Sequence, residues 1–361
     1  MNKSIYINGI HTISPQPTFD NSFLDKPVND SSVRYLRIIA PSYKDFISGK
    51  QLRRMATIMR LGIVGALRTL EDANIANIDA IIIGSGHGNI SDTQKFMNAI
   101  IDNGERLLVP TSFVQSTPNI VAGSIALRLE NKAYNMTYSH HSTAFEMALL
   151  DAMMLFEENT ASTILVGGLD ELTEENTATR INCDLWLKKE VSPLELIRNT
   201  SSAAAMHGES SSFFVLADSK SENTYAQLLD VALIYLSNSE LLKDRISAFL
   251  KKNQLISEDI DIIIGGLNGV ADYDHTQLDI WAQLFSNAVI INYKQYVGEH
   301  PTASAFAFWM AAQILSGKNI PETAFYKPKA SYSKKPKHLL IFQKSYLSEN
   351  DYAMTLLRTV D

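Results

Sequence analysis

Ser142 stands where a strand-like segment gives way to a helical one, directly behind two imidazoles, His140 and His141. A serine at such a turn could act as the nucleophile of an acyl transfer. Its hydroxyl is far less ionised than a thiol at neutral pH, so the role demands an adjacent general base. His140, His141 and His300 are the candidates. Because His140 and His141 are neighbours at a strand end, they point to opposite sides, and at most one can face a shared pocket. His300 precedes Pro301, which biases it toward an extended backbone ahead of a helix. The competing role for the Ser142 turn is structural: Thr143-Ala144-Phe145-Glu146 has the spacing of a capping box. Lys294 and Glu299 share a short segment with His300, Lys294-Gln295-Tyr296-Val297-Gly298-Glu299-His300-Pro301. Gly84-Ser85-Gly86-His87-Gly88 does not have the spacing of a dinucleotide-binding turn. The single cysteine, Cys183, reads as a small apolar packing residue.

These residues need a scaffold, and the chain repeats one. Ile78-Asp79-Ala80-Ile81-Ile82-Ile83-Gly84 is matched by Ile260-Asp261-Ile262-Ile263-Ile264-Gly265. Each follows a stretch with apolar residues at helical spacing, 55–74 in the first case and 241–253 in the second. A helix, a β-branched run and a glycine turn read as a central strand of a parallel sheet covered on both faces. Further strands are expected at 135–139, 162–166, 212–216, 289–292 and 338–342. Helices are expected at 92–101, 120–129, 143–158, 275–285 and 302–315. Two such halves imply an α/β, five-layer αβαβα arrangement. The polar stretch 218–224 is the natural boundary, giving halves 1–220 and 221–361, with 344–361 as an extension of the second.

Length (361 residues) and a 45% apolar composition allow one large core or two fused ones. The formal charge of −7 is spread without a run of basic residues, which argues against nucleic acid as a partner. One cysteine rules out an internal disulfide and a multi-cysteine metal site, and fits a reducing cytoplasm. No signal peptide is visible, and the apolar stretch 303–315 is too short to span a bilayer. No cofactor and no metal are expected.

In order along the chain stand Thr117-Pro118-Asn119-Ile120-Val121-Ala122-Gly123, then Ser139-His140-His141-Ser142, Val166-Gly167-Gly168-Leu169-Asp170-Glu171 and Gly208-Glu209-Ser210. This succession resembles the β-ketoacyl synthases of fatty-acid and polyketide assembly, and the resemblance covers almost the whole chain. It implies the thiolase-like fold. Counting forward from Asn119 or back from Gly167, the place of the family's nucleophilic cysteine falls on Ser142. The place of its first catalytic histidine falls on Gly266. In the Lys-x-x-x-Gly-His pattern the lysine and glycine remain as Lys294 and Gly298, but Glu299 holds the histidine's place. The family's glycine-rich loop near the C-terminus has no counterpart, since no glycine follows Gly317.

The resemblance therefore implies a degenerate member, similar to the chain-length factors of type II polyketide and aryl-polyene systems. Such a subunit is inactive in condensation by itself, pairs with an active ketosynthase, and serves an acyl carrier protein. Phe113, Gln115 and Thr117 fall in the stretch that approaches the partner near the acyl tunnel. Two alternatives stay open: a divergent active acyltransferase or condensing enzyme using Ser142 with His300, with Lys294 near the pocket, or a homodimeric acyl-binding scaffold.

Overall fold

In the computed structural model, which describes every residue except 1–2, 27, 200, 237–238, 328–331, 333, 349 and 361, both β-branched runs form strands buried on both faces. They are β3 (Ala80–Ser85) and β9 (Ile262–Gly265). Each has two parallel neighbours: β4 (Tyr134–Ser139) and β5 (Thr163–Asp170) beside β3, β10 (Val289–Asn292) and β11 (His338–Lys344) beside β9. Beyond β5 come β7 (Ser210–Ala217) and β1 (Ile5–Ile13), both in antiparallel pairing. Beyond β11 come β12 (Asp351–Arg358) and β8 (Ala226–Tyr235), in the same relation. The two halves thus repeat one strand order, and residues 5–7 of β1 pair with 226–228 of β8 to join them into one ten-stranded sheet. A separate short pair is made by β2 (Tyr35–Leu36) and β6 (His207–Gly208).

Alternation of side chains along each strand dictates the layers. Ile81, Ile83, Leu165 and Val215 face one side, where α2 (Thr57–Asp72) and α5 (Ile120–Arg128) cover them. Ile82, Val166 and Phe214 face the other, meeting Ile262, Ile264, Leu339 and Ile341 across α6 (Ala144–Glu157) and α12 (Ala303–Leu315). Ile263, Leu340 and Met354 point outward again, toward α9 (Leu242–Lys252) and α10 (Ala271–Leu284). This is the five-layer arrangement of the thiolase-like fold. All thirteen residues of α12 are buried, as an all-round apolar helix requires. Among the described residues no helix is long and apolar enough to cross a membrane. The connections between strands carry the remaining helices: α1 (Gly49–Leu52), α3 (Ile90–Asp102), α4 (Pro110–Gln115), α7 (Glu174–Asn182), α8 (Pro193–Asn199) and α11 (Lys294–Val297).

One expectation fails here. The segment 344–361 is no appendage, because β12 lies between β11 and β8 inside the second half of the sheet. Residues 352–357 are buried throughout, so the strand lacks the polar and apolar alternation that marks a half-exposed one. The polar stretch 218–224 is the crossing from β7 to β8.

Candidate active site

Since β3, β4 and β5 run parallel, their C-terminal ends lie together, and the ends of β9, β10 and β11 do likewise. Ligand sites of α/β sheets form at such ends. Asp170, at the end of β5, ties them. Its carboxylate accepts from Ser85 Oγ (3.1 Å), Gly86 N (2.8 Å) and His87 N (3.1 Å) after β3, and from Thr302 N (3.2 Å) and Oγ1 (2.8 Å) at the start of α12.

Ser142, only 2% exposed, follows β4 at the head of α6. Its hydroxyl donates to Asp351 Oδ2 at 2.8 Å, and its carbonyl accepts from Gln343 Nε2 at 2.8 Å. His140 Nδ1 receives the backbone N–H groups of Ser142 and Thr143, each at 3.3 Å, and is therefore the unprotonated ring nitrogen. An imidazole thus satisfies the N–H of the α6 N-cap residue and of the residue before it, donors that an acyl-transfer enzyme would aim at an oxyanion. The expected capping box is absent: the Thr143 side chain caps nothing, and Glu146 is buried near Ser304 of α12. The ring of the neighbouring His141 lies 5.2 Å from that of His87.

Behind Ser142 the second ionisable cluster satisfies itself. Lys294 and Glu299, both buried, form an ion pair; Lys294 Nζ also donates to Tyr273 OH (3.2 Å), and Asn268 Nδ2 donates to Glu299 Oε2 (3.1 Å). A Cβ at Gly266 would lie 3.1 Å from Lys294 Cε and 3.3 Å from Tyr293 OH, so the lysine stem fills the ground beside that glycine. His300 does not reach Ser142. Its Nε2 pairs with Ser210 Oγ at 3.0 Å, and its Nδ1 stays 4.0 Å from Asp170, too far for a hydrogen bond. Burial holds its pKa down to about 4 against the opposing pull of Asp170, leaving it neutral. The base nearest Ser142 is therefore His140, not His300.

Ser142, Glu299 and His300 do share one chamber, with His141, Trp186 and Tyr346 among its other walls. It measures about 10 Å³. Several of these groups carry no motif: Asp351 and Tyr346 come from the segment read as an extension, Gln343 from the end of β11, and Trp186 from a loop. Asp170 was visible within the Gly167-Gly168-Leu169-Asp170 run, but its role was not. Cys183 is exposed, contrary to expectation, because it sits on the surface turn that ends α7. Among the described residues no three His, Cys, Asp or Glu side chains are grouped to hold a metal ion.

Phe113, Gln115 and Thr117 lie elsewhere, on α4 and just after it. Phe113 is 57% exposed and rests on Phe96 of α3, with ring centroids 5.2 Å apart. Thr117 is exposed, and the Gln115 amide donates to Arg54 O at 3.2 Å. Around them Ile101 and Leu107 are 74% and 93% exposed, and Met97, Val109 and Val114 are exposed as well. Among the described residues β4 pairs with β3 alone, at the edge of the sheet. Clustered exposed apolar side chains and an open strand edge are each features that favour protein contacts.

Burial raises the Glu146 carboxyl from its usual 4.5 to about 7. The folded chain then binds this proton more tightly than the unfolded chain, so the associated stability is complete below pH 4.5 and is lost as pH rises through 7. Glu146→Gln, neutral at every pH, should unfold like the parent near pH 4. At pH 8.5 it should be more stable by up to about 3 kcal/mol. Denaturant midpoints at the two pH values test this, and an equal offset at both contradicts it.

Residues 40–229 match the family described as beta-ketoacyl synthase, N-terminal domain. A curated relative, 3-oxoacyl-[acyl-carrier-protein] synthase 2 of Staphylococcus aureus strain COL, is 23% identical over 190 residues, covering 47% of this chain and 46% of that protein. The chain thus aligns with about half the length of the curated relatives it matches. Among solved structures, the ishigamide ketosynthase/chain length factor superposes with a TM-score of 0.84 at 14% identity, covering 100% of both chains. The ketosynthase ApeO in complex with its chain length factor ApeC from Xenorhabdus doucetiae gives 0.80 at 12% identity, covering 99% of this chain and 98% of that one. A type II acyl-carrier protein in complex with its ketosynthase, AntDE:AntF, also gives 0.80, at 13% identity over 100% of both chains. At these identities the likeness is one of fold.

Proposed function

Because the chain belongs to the beta-ketoacyl synthase family, matched through the N-terminal domain, we propose that it is a non-condensing subunit. In this reading it pairs with a cysteine-bearing ketosynthase and sets chain length in a type II polyketide or aryl-polyene system. The observation that carries the reading is the self-satisfied site. Asp351 holds the Ser142 hydroxyl, His140 caps the helix behind it, and Lys294 neutralises the Glu299 that replaces an imidazole. Changes at separate places compensate one another, which suits a wall better than a catalyst.

The partner's place would be the apolar surface around Phe113 and Leu107 with the open edge of β4. An acidic carrier protein has a counterpart in Lys50, Arg53 and Arg54 at α1, all exposed, with no ion pair found for them among the described residues. Arg54 is joined to this surface through Gln115. The complex would act in the cytoplasm, with the halves 1–220 and 221–361 as one rigid subunit.

Mixed with ketosynthases of the same genome, the chain should elute as a one-to-one complex with a cysteine-bearing one. Phe113→Asp or Leu107→Asp should weaken that complex at least about tenfold, the cost of losing a contact worth more than 1 kcal/mol. A homodimer indifferent to every ketosynthase sinks the pairing and supports a homodimeric scaffold. A second reading keeps Ser142 as an acyl acceptor, favoured by the 3.0 Å between its Oγ and His140 Nδ1. It requires the hydroxyl to turn its proton from Asp351 to His140.

A further inference from the structure

The chamber at Ser142 has a larger neighbour. The inner space, about 10 Å³, has room for roughly one water molecule. The outer pocket, about 410 Å³, lies between the N-terminal end of α10 and the turn after β11, with Val270, Asp272, Tyr273 and Tyr352 in its walls. Ser345 and Tyr346 line both spaces, which puts the Tyr346 ring between them.

Residues outside its own loop hold that ring. The Tyr346 hydroxyl donates to Leu185 O at 3.0 Å and accepts from Ala205 N at 3.3 Å. Its ring stacks on Trp186, with centroids 5.5 Å apart and planes 30° from parallel, and meets Tyr273 edge-on at 5.9 Å. Trp186 is itself stacked on His207 at 4.6 Å and 4°, with the Arg180 guanidinium 6.0 Å over its ring. The result is an aromatic column from β6 to α10. Stacked and edge-on pairs of this kind favour fixed geometries, and two hydrogen bonds add direction.

We propose that Tyr346 is a plug that closes the Ser142 chamber to any thioester arm arriving at the outer pocket. The purpose of the plug rests on the subunit reading above: an acyl chain borne on a carrier stops at the mouth of this subunit and is left to the partner's open site. Closure itself is a property of this chain alone and can be measured without a partner.

Alkylation of a thiol introduced by Ser142→Cys reports access, in a Cys183→Ser background that removes the only native thiol. With Tyr346 in place, iodoacetamide should modify the introduced thiol at least ten times more slowly than when Tyr346→Ala is added. Thermal unfolding of both proteins checks that they are folded. If Tyr346→Ala does not fold, Tyr346→Phe decides, because losing both hydrogen bonds should raise the rate severalfold. Equal rates with and without the plug, in folded protein, overturn the proposal. The assay uses neither ketosynthase nor carrier, so its failure leaves the proposed function standing, and failure to pair with a ketosynthase leaves the alkylation result intact.

Discussion

Purified alone and supplied with malonyl carrier protein, the chain is expected to condense no malonyl units, whereas adding its cysteine-bearing partner starts condensation. Decarboxylative condensation needs a thiolate, imidazoles to hold the malonyl thioester and its enolate, and backbone donors for the oxyanion. Here the hydroxyl at the thiolate's place is bound to Asp351, and two backbone N–H groups beside it are taken by His140. In the proposed reading Gly266, beside the stem of Lys294, and Glu299, paired with that lysine, hold the places of the two imidazoles. Removing a covalent nucleophile alone has cost about 10⁶ in kcat where it has been measured, so the isolated chain should fall to the assay floor. Ser142→Cys by itself should stay there, because it restores neither imidazole. In the complex, Ser142→Ala should leave the rate within about twofold if, as proposed, every reacting group belongs to the partner. Steady incorporation by the isolated chain, lost on Ser142→Ala, would reverse the reading and promote Ser142 with His140.

The reconstituted complex should change its product length when the volume at Phe113, Gln115 or Thr117 changes. An apolar tunnel discriminates by burial, about 0.8 kcal/mol for each CH₂ admitted or excluded. Two methylenes then correspond to roughly a 15-fold shift in the ratio of neighbouring lengths. Phe113→Ala should lengthen the product; Thr117→Trp or Gln115→Trp should shorten it. Thr117→Val, of nearly equal volume, should leave the distribution alone, which separates volume from polarity. Phe113 has the geometry for this role, being exposed on α4 and backed by Phe96, so a partner pressed against it would share a wall with its ring. Mass spectrometry of the released acyl chains reads the result. An unchanged distribution for all three positions, in complexes that still assemble and turn over, removes them from the tunnel.

Much of the architecture follows from short windows of sequence. The runs at 81–83 and 262–264 are β-branched and uninterrupted, a pattern that suits a doubly covered strand, and their repetition announces two equivalent halves. The same local reading missed β8 and β12. The latter is buried on both faces yet mixes Tyr352, Thr355 and Leu357, so no period stands out. At the site, residue types at fixed spacing singled out Ser142, Gly266, Lys294 and Glu299, and the structure brings Lys294 and Glu299 together as an ion pair.

Pairing was another matter. His300 follows Glu299 in sequence, yet its ring turns to Ser210 of β7, while Ser142 finds its carboxylate in Asp351, 209 residues away. The aromatic column through Trp186 and Tyr346 likewise joins two distant loops. Which elements form depends on side-chain type and period within a few turns of chain, and that much is legible before folding. Which polar group meets which was decided by strand register and helix packing, because hydrogen bonds and ring contacts are made at 3–6 Å between atoms that only the folded sheet brings together.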